Sequence, residues 1–127
     1  MRDNKLSVVI NKPVNEVFEF TINPVNTPSW IAGIVKEETN EREIRKGTKY
    51  RNVNQKGVWT AYTVVEFAKD KLFELKQDES SYHVKYTYEH LSSVKTKLTY
   101  HEWVDSGELD EPFEQAVLEK LKRVMEK

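Results

Sequence analysis

Asn52, Thr63 and Glu102 are the polar residues hardest to place as mere surface, because strand alternation sets each of them on a face that is otherwise apolar. Burying an unpaired amide or hydroxyl costs about 1–3 kcal/mol, and an unpaired carboxylate more, so each needs a partner. One reading is structural: Glu102 accepts a hydrogen bond from Tyr82, or stays wet at the rim of the sheet. The other makes the three residues the few polar contacts that orient a ligand in an apolar pocket. Glu102 is then the candidate acid or base, its carboxyl raised in pKa by burial. No second group converges with it as an acid–base partner, so a binding role is favoured over an enzymatic one. Tyr50, Tyr82, Tyr86 and Tyr100 turn to the same side. In a chain of 127 residues with six tyrosines, five phenylalanines and three tryptophans they either line a cavity or fill the interior.

Other chemistries find little support. His83 and His101 point away from the tyrosine face, with His101 opposite Lys85, so with His90 they form no compact ligand set. There is no nucleophile elbow, P-loop or dinucleotide fingerprint, and neither metal nor cofactor is expected. Twenty basic residues against 21 acidic, mixed along the chain, give no electrostatic case for nucleic acid. The absence of cysteine excludes disulfides and thiolate chemistry. With no apolar run of about 18 residues, stable membrane insertion is not expected, and the cytoplasm is the expected compartment. The length suits one domain over residues 1–127.

The elements that must position these groups follow from periodicity. Lys5 to Asn11 reads as a strand, and Pro13 opens a helix in which Val14, Val17, Phe18 and Ile22 keep helical spacing until Asn23-Pro24 ends it. A second short helix or turn carries Trp30. From Val35 to Ile44 the chain is so charged that it reads as a solvated edge strand. In the next strand Lys49 and Arg51 face water, which turns Tyr50, Asn52 and Asn54 inward. Trp59, Ala61, Thr63, Val65 and Phe67 are taken as the inward face of the strand after it, continued by Phe73 and Leu75. In the last hairpin an odd-numbered loop, Leu91 to Ser93, keeps the tyrosines on the face of Leu98 and Tyr100. It pairs Tyr86 with Leu98, Val84 with Tyr100 and Tyr82 with Glu102, while Glu89 meets Lys97 and Thr87 meets Thr99. Asp110 to Lys127 is a terminal helix, with Asp110 as N-cap, Pro112 in the first turn, and Phe113, Val117 and Leu121 on its apolar stripe.

The stretch from Ile10 to Gly33, with Pro13, Val17-Phe18, Asn23-Pro24 and Trp30, resembles the opening of the polyketide cyclase/dehydrase-like branch of the START and birch-pollen-allergen superfamily. Gly47, the run from Thr63 to Phe67, Lys71-Leu72-Phe73 and Leu121-Lys122-Arg123 extend the resemblance over nearly the whole chain. It implies an α+β helix-grip fold: a curved antiparallel sheet of about six or seven strands wrapped on a long C-terminal helix, with two short helices after the first strand. It also implies a pocket between sheet and helix that takes a small hydrophobic molecule such as a lipid, polyketide or aromatic. The walls expected from the inward faces are Trp30, Tyr50, Asn52, Trp59, Ala61, Thr63, Tyr82, Tyr86, Leu98, Tyr100, Glu102, Phe113, Val117 and Leu121. Relatives of this kind include cyclases and dehydratases, for which Glu102 or a pocket tyrosine is the candidate, and activators of chaperone ATPases, for which an exposed aromatic patch is the sign. Pairing of two copies through an edge strand is a further expectation.

Overall fold

A computed structural model of the chain describes residues 2–127. The architecture is α+β. Strands β1 (Asp3–Ile10), β2 (Lys36–Thr39), β3 (Lys49–Val53), β4 (Trp59–Ala68), β5 (Leu72–Gln77), β6 (Tyr82–Ser92) and β7 (Lys95–Val104) form one antiparallel sheet in the order β1-β7-β6-β5-β4-β3-β2. Strands β2 to β7 pair with their neighbours in sequence, and β1 returns to pair with β7, so β1 and β2 are the two edges. Helix α1 (Val14–Ile22), a 3₁₀-helix (Pro24–Ser29) and helix α2 (Gln115–Met125) complete the fold.

Local chemistry explains the helices on the β1–β2 connection. Pro13 precedes α1, and Val17, Phe18, Thr21 and Ile22 form its buried side. Asn23 then stops the helix: its Oδ1 accepts from the Val25 amide at 3.1 Å, and Pro24 begins the 3₁₀ turn. That turn packs on β2, at the opposite edge of the sheet from α2, which packs on β1.

Three expectations are corrected. In β4, Tyr62 and Val64 face the interior, while Trp59, Ala61 and Thr63 face outward. A β-bulge between Val64 and Glu66 inserts Val65 and inverts the alternation, so Phe67 does pack inward. Pairing gives the same answer, because Tyr50 lies opposite Tyr62 and residues directly opposite share a face. In the β6–β7 hairpin the tyrosine face is shared with Leu98, Tyr100 and Glu102, and Glu89 meets Lys97 and Thr87 meets Thr99 as expected. The inner partners, however, are displaced by two residues: Tyr88 faces Leu98, Tyr86 faces Tyr100, and Val84 faces Glu102. The tip carries Ser92 opposite Lys95, with the odd residue absorbed as a bulge at Leu91 rather than as a three-residue loop.

The terminal helix is also shorter than its sequence pattern. It begins at Gln115 with Glu114 at the N-cap position, so Asp110 does not cap it and Pro112 precedes it. Glu111 has φ +50°, a left-handed conformation, and the Phe113 amide donates to Glu102 instead of entering a helical ladder.

Candidate functional site

A cavity of about 220 Å³ lies on the inner face of the sheet. Its floor is Tyr50 and Asn52 of β3, Tyr62 of β4, Phe73 and Leu75 of β5, Tyr82, Val84 and Tyr86 of β6, and Tyr100 of β7. Thr21, Thr27, Ile31, Gly33 and Ile34, from α1 and the segment after it, form the opposite wall, and Phe113 closes one side. The rings interlock: Tyr86 meets Tyr100 edge-on at 5.4 Å, Phe73 tilts against Tyr50 at 5.6 Å, and Phe113 stacks on Tyr100 at 4.4 Å.

Polar groups converge on one part of this space. Glu37 of β2 faces the cavity, where its Oε1 accepts from Thr27 Oγ1 at 2.6 Å and its Oε2 from Asn52 Nδ2 at 3.1 Å. Burial pushes the Glu37 carboxyl above its usual range, against the lowering effect of those two hydrogen bonds. Nearby, burial and the charge of Glu37 push Tyr62 up to about 12 and raise Tyr50, while burial, Tyr88 and Glu37, in that order, raise Tyr86. Tyr50 is nonetheless satisfied, its hydroxyl donating to the Ile22 carbonyl at 2.5 Å. Tyr86 is not: 6% exposed and lining the cavity, its hydroxyl meets no hydrogen-bond partner among the described residues.

The raised carboxyl has a consequence for stability. Glu37 holds its proton more tightly folded than unfolded, so its contribution declines as pH rises from the unfolded to the folded pKa. Glu37→Gln keeps an acceptor for Thr27, and the Asn52 amide can turn to face it. The variant is therefore expected to gain stability relative to the native chain as pH rises from acid to neutral. Urea unfolding of both proteins across that range checks it, and a variant that loses stability relative to the native chain with rising pH would contradict it.

Of the residues expected from sequence to form walls, Tyr50, Asn52, Tyr82, Tyr86, Tyr100 and Phe113 line the cavity. Trp59, Ala61 and Thr63 do not, because β4 presents them to the outer face: Thr63 donates to Asp78 Oδ1 at 2.6 Å and accepts from Lys49 Nζ at 2.6 Å. Trp59 is 46% exposed, with the Arg51 guanidinium 4.5 Å from its ring centre. Trp30 is buried behind the wall, edge-on to Tyr86 and Phe113 at 6.4 Å each, and its Nε1 has no hydrogen-bond partner among the described residues. Leu98 and Leu121 belong to the solid core, with Val117 packed against it, because α2 lies over β1 and away from the cavity. Asn54 is exposed and accepts from the Lys56 and Val58 amides in the β3–β4 turn. Glu37 was hidden from sequence reasoning by its charged neighbours. The signal was available in pairing, since it lies directly opposite the inward Asn52.

Glu102 is inward and 2% exposed, but it does not line the cavity. Its Oε1 accepts from the Tyr82 hydroxyl at 2.7 Å, and its Oε2 from Asn4 Nδ2 at 2.9 Å and the Phe113 amide at 2.7 Å. Asn4 Nδ2 also donates to the Phe113 carbonyl at 2.9 Å. These bonds join β1, β6 and β7 to the segment that leads into α2, so Glu102 acts as a structural node.

Two other features lie apart from this cavity. On the outer face Trp103 lies between His83, stacked at 4.8 Å, and His101, tilted at 4.7 Å. His83 Nδ1 donates to Glu74 at 2.8 Å. Among the described residues no group of His, Cys, Asp and Glu side chains has an arrangement that would hold a metal ion. A larger trough of about 1020 Å³ runs between α1, the β2–β3 connection and the end of α2. It is an open surface rimmed by Lys12, Glu16, Glu19, Arg42 and Glu43. The smaller cavity, with apolar walls and convergent polar groups, has the form of a ligand site.

Residues 5–123 match the family model described as Domain of unknown function (DUF3284). The chain belongs to this family. No curated protein sequence matches the DUF3284 chain. Among solved structures it is similar to a START superfamily protein from Mycobacterium smegmatis, at 13% identity and TM-score 0.72 over 99% of this chain and 95% of that one. It is similar to a protein from Mesorhizobium loti, at 14% identity and TM-score 0.73 over 98% and 97%. The di-domain ARO/CYC BexL from the BE-7585A biosynthetic pathway aligns at 15% identity and TM-score 0.67, over 82% of this chain and 36% of that one. The DUF3284 chain thus spans little more than a third of BexL. At such identities the likeness is one of fold, and the DUF3284 chain has the START-like helix-grip fold. No helix among the described residues is long and apolar enough to cross a membrane.

Proposed function

We propose that the chain binds a small, largely apolar molecule without transforming it, in the cavity between the sheet and the segment from Thr21 to Ile34. The observation that carries this reading is the cavity itself: aromatic and aliphatic walls around a Glu37–Asn52–Thr27 cluster and an unpartnered Tyr86 hydroxyl. Its size narrows the ligand. A cavity of about 150 Å³ takes benzene, and drug-sized ligands occupy about 300–1,000 Å³. The 220 Å³ found here suits a molecule of about one ring rather than a sterol or a multi-ring polyketide. The structural relatives include a START superfamily protein and an ARO/CYC protein, in keeping with a ligand-holding interior.

A thermal-shift screen of one-ring aromatics tests the reading, because a ligand at a hundred times its dissociation constant adds about 2.7 kcal/mol of stability. Val84→Phe is the matching variant. Val84 lines the cavity, so a phenyl ring there enters existing space at a cost of about 1–3 kcal/mol, which leaves a folded chain to test. It should abolish every shift seen with the native chain. Shifts that survive Val84→Phe, or no shift across the screen, would refute the cavity as the binding site.

A further inference from the structure

We propose that the molecule held in this cavity is an amine, its ammonium group seated on the Glu37 carboxylate and its apolar body against Phe73, Tyr50, Tyr62 and Tyr86. The inference rests on the binding role proposed above and assigns the ligand's chemical class.

The argument begins with an imbalance of charge. Glu37 is the acidic group that lines the cavity, and its two hydrogen-bond donors, Thr27 and Asn52, are both neutral. Among the described residues no Lys, Arg or His forms an ion pair with it. Two neighbouring cations are committed elsewhere: Lys36, beside Glu37 in sequence, and Arg51, beside its cross-strand partner Asn52, both pair with Glu38, on the outer side of β2. The groups that face Glu37 from β3, β4 and β6 are Tyr50, Tyr62 and Tyr86, all neutral. Glu102 shows what a satisfied carboxylate of this face looks like, with three donors at 2.7 to 2.9 Å. Glu37 has one donor on each oxygen, which leaves a lone pair on each. An unbalanced carboxylate in a partly desolvated site is costly, and a cation arriving with the ligand removes that cost.

The surroundings suit an ammonium group in two further ways. An ammonium has three N–H donors and no acceptor. Two can meet Glu37, and the Tyr86 hydroxyl, with no hydrogen-bond partner among the described residues, offers an acceptor for a third. Tyr50, Tyr62, Phe73 and Tyr86 line the same cavity as the carboxylate, and a ring face turned to a cation adds cation–π attraction to an ion pair. A ligand anion is disfavoured for the same reasons, since no cationic side chain lines the cavity.

Benzylamine and benzyl alcohol, similar in shape and different in charge, separate this inference from the reading beneath it. Titration calorimetry at neutral pH is expected to show benzylamine binding the native chain at least roughly tenfold more tightly than the alcohol, as a charge-assisted hydrogen bond implies. Glu37→Gln should erase that preference, lowering the amine's affinity toward that of the alcohol. A second measurement needs no variant: on acidification, benzylamine affinity should fall as Glu37 takes up its proton, and benzyl alcohol affinity should not. Equal binding of the two probes, a preference that survives Glu37→Gln, or an amine affinity indifferent to acid would overturn the inference and leave the cavity reading standing. Binding of neither probe would overturn it as well, and the neutral-aromatic screen with Val84→Phe then decides the cavity reading separately.

Discussion

Glu102→Ala is expected to lower the free energy of unfolding by about 3–5 kcal/mol, the range seen when one member of a buried charged network is removed. Three donors lose their acceptor at once: the Tyr82 hydroxyl, Asn4 Nδ2 and the Phe113 amide. Each unsatisfied buried donor costs about 1–3 kcal/mol, offset in part where water enters the space that the side chain leaves. Against a total stability of about 5–15 kcal/mol, such a loss takes about a fifth or more. Glu102→Gln is the informative control. Its amide keeps one acceptor but turns an N–H₂ toward other donors, so it should fall between the two. The measurement is the urea midpoint with an unchanged m-value. A Glu102→Ala midpoint equal to that of the native chain would show that the carboxylate is dispensable to the fold and would reopen its reading as an acid or base.

How much of this was legible in the sequence depends on whether a residue's face was set locally or by a partner strand. Helix α1 was legible because Pro13, the spacing of Val17, Phe18 and Ile22, and Asn23-Pro24 are all local signals. The tyrosine face of β6 was legible because only one parity of the hairpin puts Tyr82 to Tyr88 with Leu98 and Tyr100. The bond from Tyr82 to Glu102 came out of the same argument. Strand β4 failed because a bulge at Val65 leaves no mark in a period-two pattern, and Trp59 looked like core by size alone. Glu37 failed because three of the other residues from Lys36 to Glu41 are acidic or basic, so the strand read as solvated. Yet Asn52 was already placed inward, and extending that choice across the β2–β3 pair would have brought Glu37 in with it. Helix α2 failed at its start because the Phe113 amide answers to Glu102, a partner 11 residues away that no capping rule can see.

Leu121→Ala separates the two duties once assigned jointly to the terminal helix, that of sealing the core and that of walling a pocket. Leu121 is wholly buried, with 0% exposure, beside Leu118 in the core cluster. Truncating such a leucine costs about 2–5 kcal/mol, depending on how far the neighbours relax into the space. Were Leu121 a pocket wall, the same truncation would also weaken ligand binding. The geometry predicts otherwise, because α2 packs on β1 at one edge of the sheet, whereas the cavity lies beneath the segment from Thr21 to Ile34 toward the other. At a temperature where the variant remains folded, its affinity for any one-ring ligand of the native chain should therefore stay within about twofold, well under the 1.4 kcal/mol that a tenfold change represents. Phe113→Ala supplies the contrast: Phe113 lines the cavity and stacks on Tyr100, so both the melting midpoint and the affinity should fall. A Leu121→Ala protein that is stable but binds poorly would place the ligand against α2, in the grip geometry that the sequence pattern suggested.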